Sequence, residues 1–400
     1  MRLFFSVLCC CILKIGYSQS PKQAHTNQLQ KIYEKSDFPG FSVAVVNENG
    51  IIYEQAFGFS DLENKLPYTQ NSIQNIGSVS KTFIGVALMK AVELGYFDLD
   101  ADVNSVLDFN VKNPNFPKAP ITVRQLATHT SSILDDESCY SKTFYPNDYS
   151  DVKSPLYEKF IRNSTIPERT DFELSVFLKS YLSINGNQYK KTNFAAEKPG
   201  VAYHYSNIAS ALAARLIELK SNMPFDQFCK KYIFDPLEMR QTSWKLNDSI
   251  AKNHVKIYNL KKQYYPLYSE ITYPDGSLKT SITDLSKYLV EMINGFNGNG
   301  HILSDAAFKT LFQKQFSDSK LPVGFDPKEP NSGIFWRIKN NGQLGHTGSD
   351  LGVTTFMFFD PKTKTGKIFM TNIEFDDPQK EGVDQKLVSS FVEVWKALDN

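Results

Sequence analysis

The chain is poor in everything that would build a metal or redox centre. It has only six histidines and five cysteines in 400 residues, with no C-x-x-C, no H-E-x-x-H and no Cys/His cluster. A bound metal is therefore not expected. Charge of one sign is also missing. Net charge is +1, so no basic field is available to draw in nucleic acid, and no basic helix reads as a membrane binder. No apolar run is long enough to span a bilayer, which takes about 20 residues. Internal repeats, low-complexity linkers and the G-x-S-x-G elbow of α/β-hydrolases are absent.

Apolar residues are 41% and charged residues 22% of the chain, in the ordinary range for a globular protein. Aromatics reach 13%, with 30 Phe and 20 Tyr, so an aromatic-rich core or cleft is expected. The length suits one large domain or two smaller ones. The N-terminus opens with Arg2, an apolar run over Leu3–Leu13, and Lys14. Gly16 and Ser18 stand where a cleavage site needs small residues, so residues 1–18 read as a secretory signal, and the protein as exported, periplasmic or secreted. Cys9, Cys10 and Cys11 would leave with that signal. Cys139 and Cys229 would remain, either as a disulfide or as two buried thiols.

The apolar pattern sorts the rest. Residues 21–36 form an amphipathic helix candidate. Asn49-Gly50, between two β-rich runs, signals a hairpin. Residues 81–95, apolar nearly all round, read as a buried helix ended by Gly95. Further helices are expected over 122–128, 171–183, 206–221 and 224–232. The aperiodic stretch 136–170 reads as a long surface loop or lid. Strand texture returns in "GIFWRIK", "GVTTFMFFD" and "GKIFMTN", and 383–398 closes the chain as an amphipathic helix. Strands at both ends with helices between predict an α+β fold. Its antiparallel sheet combines N- and C-terminal segments (about 19–97 and 261–400), and a mainly helical part (about 98–260) is inserted between them.

"NIGSVSKTF", residues 75–83, carries two candidate chemistries. A phosphate loop needs G-x-x-x-x-G-K-[ST]. Lys81-Thr82 fits its end, but neither glycine position is glycine, so a nucleotide site is unsupported; "GNGHIL" likewise fails G-x-G-x-x-G. The alternative is Ser-x-x-Lys. Ser78 and Lys81, three apart, put a hydroxyl and an amine on one helical face. Ser80 has Phe83 at that spacing and so lacks a base. A serine hydroxyl needs a base to become a nucleophile, and an amine buried among apolar residues is biased toward the neutral form that can act as one.

Two distant segments complete the pattern: Tyr205-Ser206-Asn207 at a helix start, and His346-Thr347-Gly348 before a strand. Together with Ser78–Lys81 they resemble the three motifs of the serine β-lactamase and penicillin-binding protein superfamily, most closely its class C and DD-peptidase branch. "LATHTSSI", "IFDPLEM" and "GSLKTSITDLSKYL" resemble further recurrent stretches, so the likeness covers nearly all of residues 25–395. It implies a β-lactamase/DD-peptidase-like fold, a catalytic domain over 19–400, and no cofactor.

It also implies roles. Ser78 would attack a carbonyl and form an acyl-enzyme. Lys81 would take its proton. Tyr205 would hydrogen-bond Ser78 and pass the proton to the leaving group, its phenol favoured by Lys81 and a cationic His346. Asn207 would hold Lys81 and the substrate amide. His346, Thr347, Gly348 and Ser349 would line the substrate, with Gly348 leaving it room against the strand. The N–H groups of Ser78 and Ser349 would form the oxyanion hole. His129, in "LATHTSSI", would be structural.

Lys364-Thr365-Gly366 matches the third motif literally, but follows Asp360-Pro361 among lysines and reads as a hairpin turn. Histidine rather than lysine at 346 resembles DD-peptidases, D-aminopeptidases and esterases more than β-lactamases. The expected substrate is a D-amino-acid peptide, a small ester, or a β-lactam, in falling order. The competing readings are a class C-type β-lactamase and a non-catalytic sensor that binds peptidoglycan or β-lactams.

Overall fold

A computed structural model describes residues 21–163, 173–375 and 384–399. The expected signal, residues 1–18, lies outside them. In chain order the strands are β1 (Gly40–Asn47), β2 (Gly50–Asp61), β3 (Leu66–Pro67), β4 (Ile73–Asn75), β5 (Phe144–Pro146), β6 (Tyr268–Glu270), β7 (Lys279–Ser281), β8 (Asn331–Ser332), β9 (Arg337–Ile338), β10 (Leu344–Asp350), β11 (Val353–Asp360) and β12 (Thr365–Thr371). Eight of them form one antiparallel sheet in the order β3-β2-β1-β12-β11-β10-β9-β8. The hairpin at Asn49-Gly50 joins β1 to β2, and C-terminal β12 pairs with N-terminal β1 in register Val43↔Phe369.

Alternation along the central strands fixes what each face covers. Phe41, Val43 and Phe369 face one side, where they pack with Leu29 of the helix Pro21–Lys35 and Leu387 and Val394 of the helix Gln385–Ala397. Aromatics dominate that layer: Phe369 lies 5.5 Å from Phe41 and 5.1 Å from Phe391. Ala44, Val46, Ile368 and Met370 face the other way, into the main core. There they meet the helix Ile282–Phe296 and, beyond it, the helix Ser80–Glu93. The latter is buried almost throughout, because it runs between the sheet and the helical part.

The expected helices appear within a few residues of their expected bounds at Val123–Ala127, Leu174–Leu182 and Asn207–Ser221. The last of the set, Phe225–Cys229, continues as a π-helical turn over Lys230–Phe234. Helices Ile282–Phe296 and Asp305–Phe312 are additional to those expected. The stretch 136–170 differs from a plain loop. Its described part, to residue 163, holds the short helix Glu137–Tyr140, strand β5 paired with β6, and the helix Tyr157–Asn163. Local turns satisfied by Asp136 and by paired backbone replace the missing periodicity. Cys139 and Cys229 are both free thiols. Among the described residues no helix is long and apolar enough to cross a membrane.

Candidate active site

Ser78 lies in a single 3-10 turn, Gly77–Val79, that leads into the helix Ser80–Glu93, so it projects from just before the helix and Lys81 from its first turn. Gly77 has φ +52°, a left-handed conformation that glycine adopts without strain. Lys81 is fully buried. Its Nζ lies 3.1 Å from Ser78 Oγ, 2.6 Å from Asn207 Oδ1 and 2.7 Å from the Asp275 carbonyl oxygen. Two of these partners are carbonyl oxygens, which only accept. The Ser78 hydroxyl is the one partner of the three that itself carries a proton.

Each of the other corners is fixed by residues with no motif. Ser206 caps the helix Asn207–Ser221, its hydroxyl accepting from the Ala209 N–H. The Asp135 carboxyl then accepts from the N–H of Asn207 at 2.7 Å, from that of Ile208 at 3.1 Å, and from Ser206 Oγ at 2.7 Å. A carboxylate at a helix N-terminus is favoured by the free N–H groups there, although burial pushes the Asp135 carboxyl above the usual range. On the far side, the Asp275 carbonyl is held by its own turn. Tyr140 Oη lies 2.8 Å from Asp275 Oδ1 and 2.9 Å from Glu270 Oε1. Burial foremost, then the neighbouring Glu270, push the Asp275 carboxyl well above the usual carboxylate range. The stretch 136–170 thus reaches the site through Tyr140.

The third side is β10. Only Leu344 and Gly345 pair with β9, so from His346 to Asp350 that strand edge has no neighbour in the sheet. It runs against the turn that carries Ser78. A Cβ on Gly348 would stand 2.0 Å from the Ile76 carbonyl oxygen and 3.0 Å from Ser78 N; one on Gly77 would stand 2.8 Å from Ser349 N. Glycine is needed at 348 because the strand closes on Ser78's own backbone. The same closeness brings the amides of Ser78 and Ser349 to one small space.

Two expectations change. Tyr205 Oη has no hydrogen-bond partner among the described residues, so it does not bond Ser78 here. Two basic side chains flank its ring instead: Lys81 Nζ lies 5.0 Å from the centroid, and the Arg337 guanidinium 5.6 Å from it. His346 is not a cation. Burial foremost, then the Arg337 guanidinium, hold its imidazole well below the usual 6.5, and Nδ1 contacts the Thr347 carbonyl at 2.5 Å. His129 is likewise held neutral by burial; its Nδ1 accepts from the Ser206 N–H and its ring lies 4.4 Å from that of Tyr205. Lys364 lies away from all this, in the β11–β12 turn, paired with Glu48 at 2.7 Å. Among the described residues no cluster of His, Cys, Asp or Glu could hold a metal.

The family model named Beta-lactamase matches residues 26–388. The chain belongs to the Beta-lactamase family. This is the serine β-lactamase and penicillin-binding protein superfamily, a family of serine hydrolases. One relative is Protein flp of Staphylococcus aureus (strain MRSA252), 22% identical over 85% of this chain; the chain spans 60% of that protein's length. Another is Penicillin-binding protein 4* of Bacillus subtilis (strain 168), 26% identical over 90% of this chain and 75% of the relative. The fold is that of the octameric penicillin-binding protein homologue from Pyrococcus abyssi, with a TM-score of 0.70 at 22% identity, over 88% of this chain and 74% of that one.

Within this Beta-lactamase-family site, the neutral state of His346 has a consequence for acid stability. An unfolded histidine titrates near 6.5 and the folded His346 well below it. Its contribution to stability is therefore complete above about 6.5 and is lost as pH falls toward the folded value. Melts of wild type and His346→Gln at about pH 7.5 and about pH 5.5 check this, wild type losing up to about 1.4 kcal/mol more per pH unit. Equal losses in both proteins would contradict it.

Proposed function

We propose that the chain is a serine hydrolase that forms an acyl-enzyme on Ser78 and acts on a small amide or ester, in the manner of a DD-peptidase, D-aminopeptidase or esterase. The observation that carries this reading is the placement of Lys81 Nζ, held by two carbonyl oxygens at 3.1 Å from Ser78 Oγ, the one partner with a proton to give. Ser78 Oγ attacks the substrate carbonyl carbon as its proton passes to Lys81 Nζ. The oxygen that becomes anionic lies against the N–H groups of Ser78 and Ser349. Such donors act on charge that develops only in the transition state. As the bond to the leaving group breaks, Tyr205 supplies a proton to it and is replenished from Lys81. Water then enters, loses its proton along the same route, and releases the acid and Ser78.

Asn207 has two tasks in this scheme, holding Lys81 through Oδ1 and offering its amide N–H to the substrate. The free edge of β10 supports binding of an extended acyl chain as an added strand. Trapping tests the reading. The protein is incubated with a short-chain chromogenic ester and, separately, with a fluorescent penicillin or a fluorophosphonate. Steady ester turnover and a covalent adduct on the peptide containing Ser78 are expected. No turnover and no adduct with any of the three would sink it; an adduct on Ser80 would sink the nucleophile assignment.

A further inference from the structure

A cavity of about 210 Å³ opens beside Tyr205. Tyr203 and Phe325, their rings 4.5 Å apart, wall it, and Arg337, Glu329, Asp326 and His346 are among its polar groups. On the acyl-enzyme reading above, the group protonated by Tyr205 departs into this space. Its charge balance is then a statement about the leaving group.

Arg337 is the one cation that lines it among the described residues. The guanidinium is already engaged, with Nη1 at 3.1 Å from Glu329 Oε2. Asp326 is a second carboxylate in the lining. His346 and His129, which also line the cavity, are both neutral. A leaving group with a free carboxylate would add a third carboxylate to a cavity with a single guanidinium. It would have to share or displace Glu329, and in a partly desolvated pocket like charges this close repel strongly. Arg337 Nε, by contrast, is buried and has no acceptor among the described residues. An unmet buried donor costs stability until an acceptor arrives, and a neutral carbonyl oxygen satisfies it without adding charge.

We propose that Glu329 determines leaving-group charge: by occupying Arg337 it makes the cavity select uncharged leaving groups, such as an amino-acid amide or an ester alcohol, over ones that end in a free carboxylate. Arg337 Nε then donates to the carbonyl oxygen of the neutral group. The closeness of Arg337 to the Tyr205 ring is kept in either case, so the pair governs which substrate binds rather than whether Tyr205 can act.

Matched ligands test this without relying on turnover. N-acetyl-D-alanyl-D-alanine and its C-terminal amide differ only in that charge. Their dissociation constants are measured by calorimetry on Ser78→Ala protein, with and without Glu329→Gln. The amide is expected to bind more tightly. Glu329→Gln, which keeps the shape and removes the charge, is expected to shift the acid-to-amide affinity ratio about tenfold toward the acid. Glu329→Ala shifts it in the same direction. In the active protein the same shift appears in KM rather than kcat. An unchanged ratio, a shift toward the amide (Glu329 then orients Arg337 for a carboxylate), or no binding of either peptide overturns the inference. Lack of ester turnover in wild type overturns the hydrolase reading instead, and leaves the binding comparison to decide this one.

Discussion

Ser78→Ala is expected to lower ester turnover by about a million-fold, the scale seen when a serine nucleophile is removed from a working site. Ser80→Ala, two residues on, is expected to keep most of it. The contrast is informative because both hydroxyls lie within one turn of Lys81. Only Ser78 Oγ is within reach of Lys81 Nζ. Ser80 Oγ is spent elsewhere: it is fully buried and accepts from the Leu278 N–H at 3.2 Å, which fastens the helix to the segment before β7. Loss of that acceptor strands a buried N–H at a cost of about 1–3 kcal/mol. Ser80→Ala should therefore melt earlier yet turn over ester, and Ser78→Ala should melt like wild type and be inert. Turnover in Ser78→Ala above about one part in a thousand of wild type would rule out Ser78 as the nucleophile, because it far exceeds what a site keeps once its nucleophile is gone.

Ser78 and Lys81 were legible because their relation is local. Three residues at the head of a helix fix a hydroxyl and an amine on one face, whatever the rest of the chain does. The sheet was legible for a similar reason. Asn49-Gly50 and the alternating runs at both ends have no stable use except as antiparallel strands with two covered faces. The groups that hold the site are different. Asp275 contributes a backbone carbonyl, which any residue type could supply, so no side-chain pattern marks it. Asp135 matters because the helix Asn207–Ser221 begins above it, 72 residues further along the chain. Tyr140 sits in a stretch without period, and only its contacts with Asp275 and Glu270 give it meaning.

His346 illustrates a further limit. Its residue type suggested a cation beside Tyr205, but charge state belongs to the surroundings. Full burial next to Arg337 makes neutrality cheaper than ionisation. Arg337 then takes the cationic position, yet in sequence it is one polar residue in a strand, and Glu329, eight earlier, gives no hint of pairing with it. The helix Ile282–Phe296 is a different kind of omission. Ser281 and Asp284 mark its start, and Ile282, Leu285, Leu289, Met292 and Ile293 follow at helical spacing. That helical signal competes with the strand-like Lys279–Ser281 just before it.

Lys81→Met is the second large expectation: a loss of about a hundred- to ten-thousand-fold in kcat/KM, the usual reach of general acid–base catalysis. Methionine keeps most of the stem and its packing in the buried helix, and removes the nitrogen. Two effects on stability then oppose each other. Asn207 Oδ1 and the Asp275 carbonyl lose a donor, at about 1–3 kcal/mol for each group left unmet. Against this, a buried amine no longer has to be held away from water, a cost of several kcal/mol when it is charged. The fold is therefore expected to survive at a melting temperature close to that of wild type, while activity collapses. Lys81→Arg should be as inactive as Lys81→Met: a guanidinium stays protonated near neutral pH and has no lone pair for Ser78. Turnover in Lys81→Arg near the wild-type level would mean that a positive charge, not a base, is what Ser78 needs at this position. Parallel ester assays and melts on the three proteins separate the two, because a base is lost in both variants and a charge in only one.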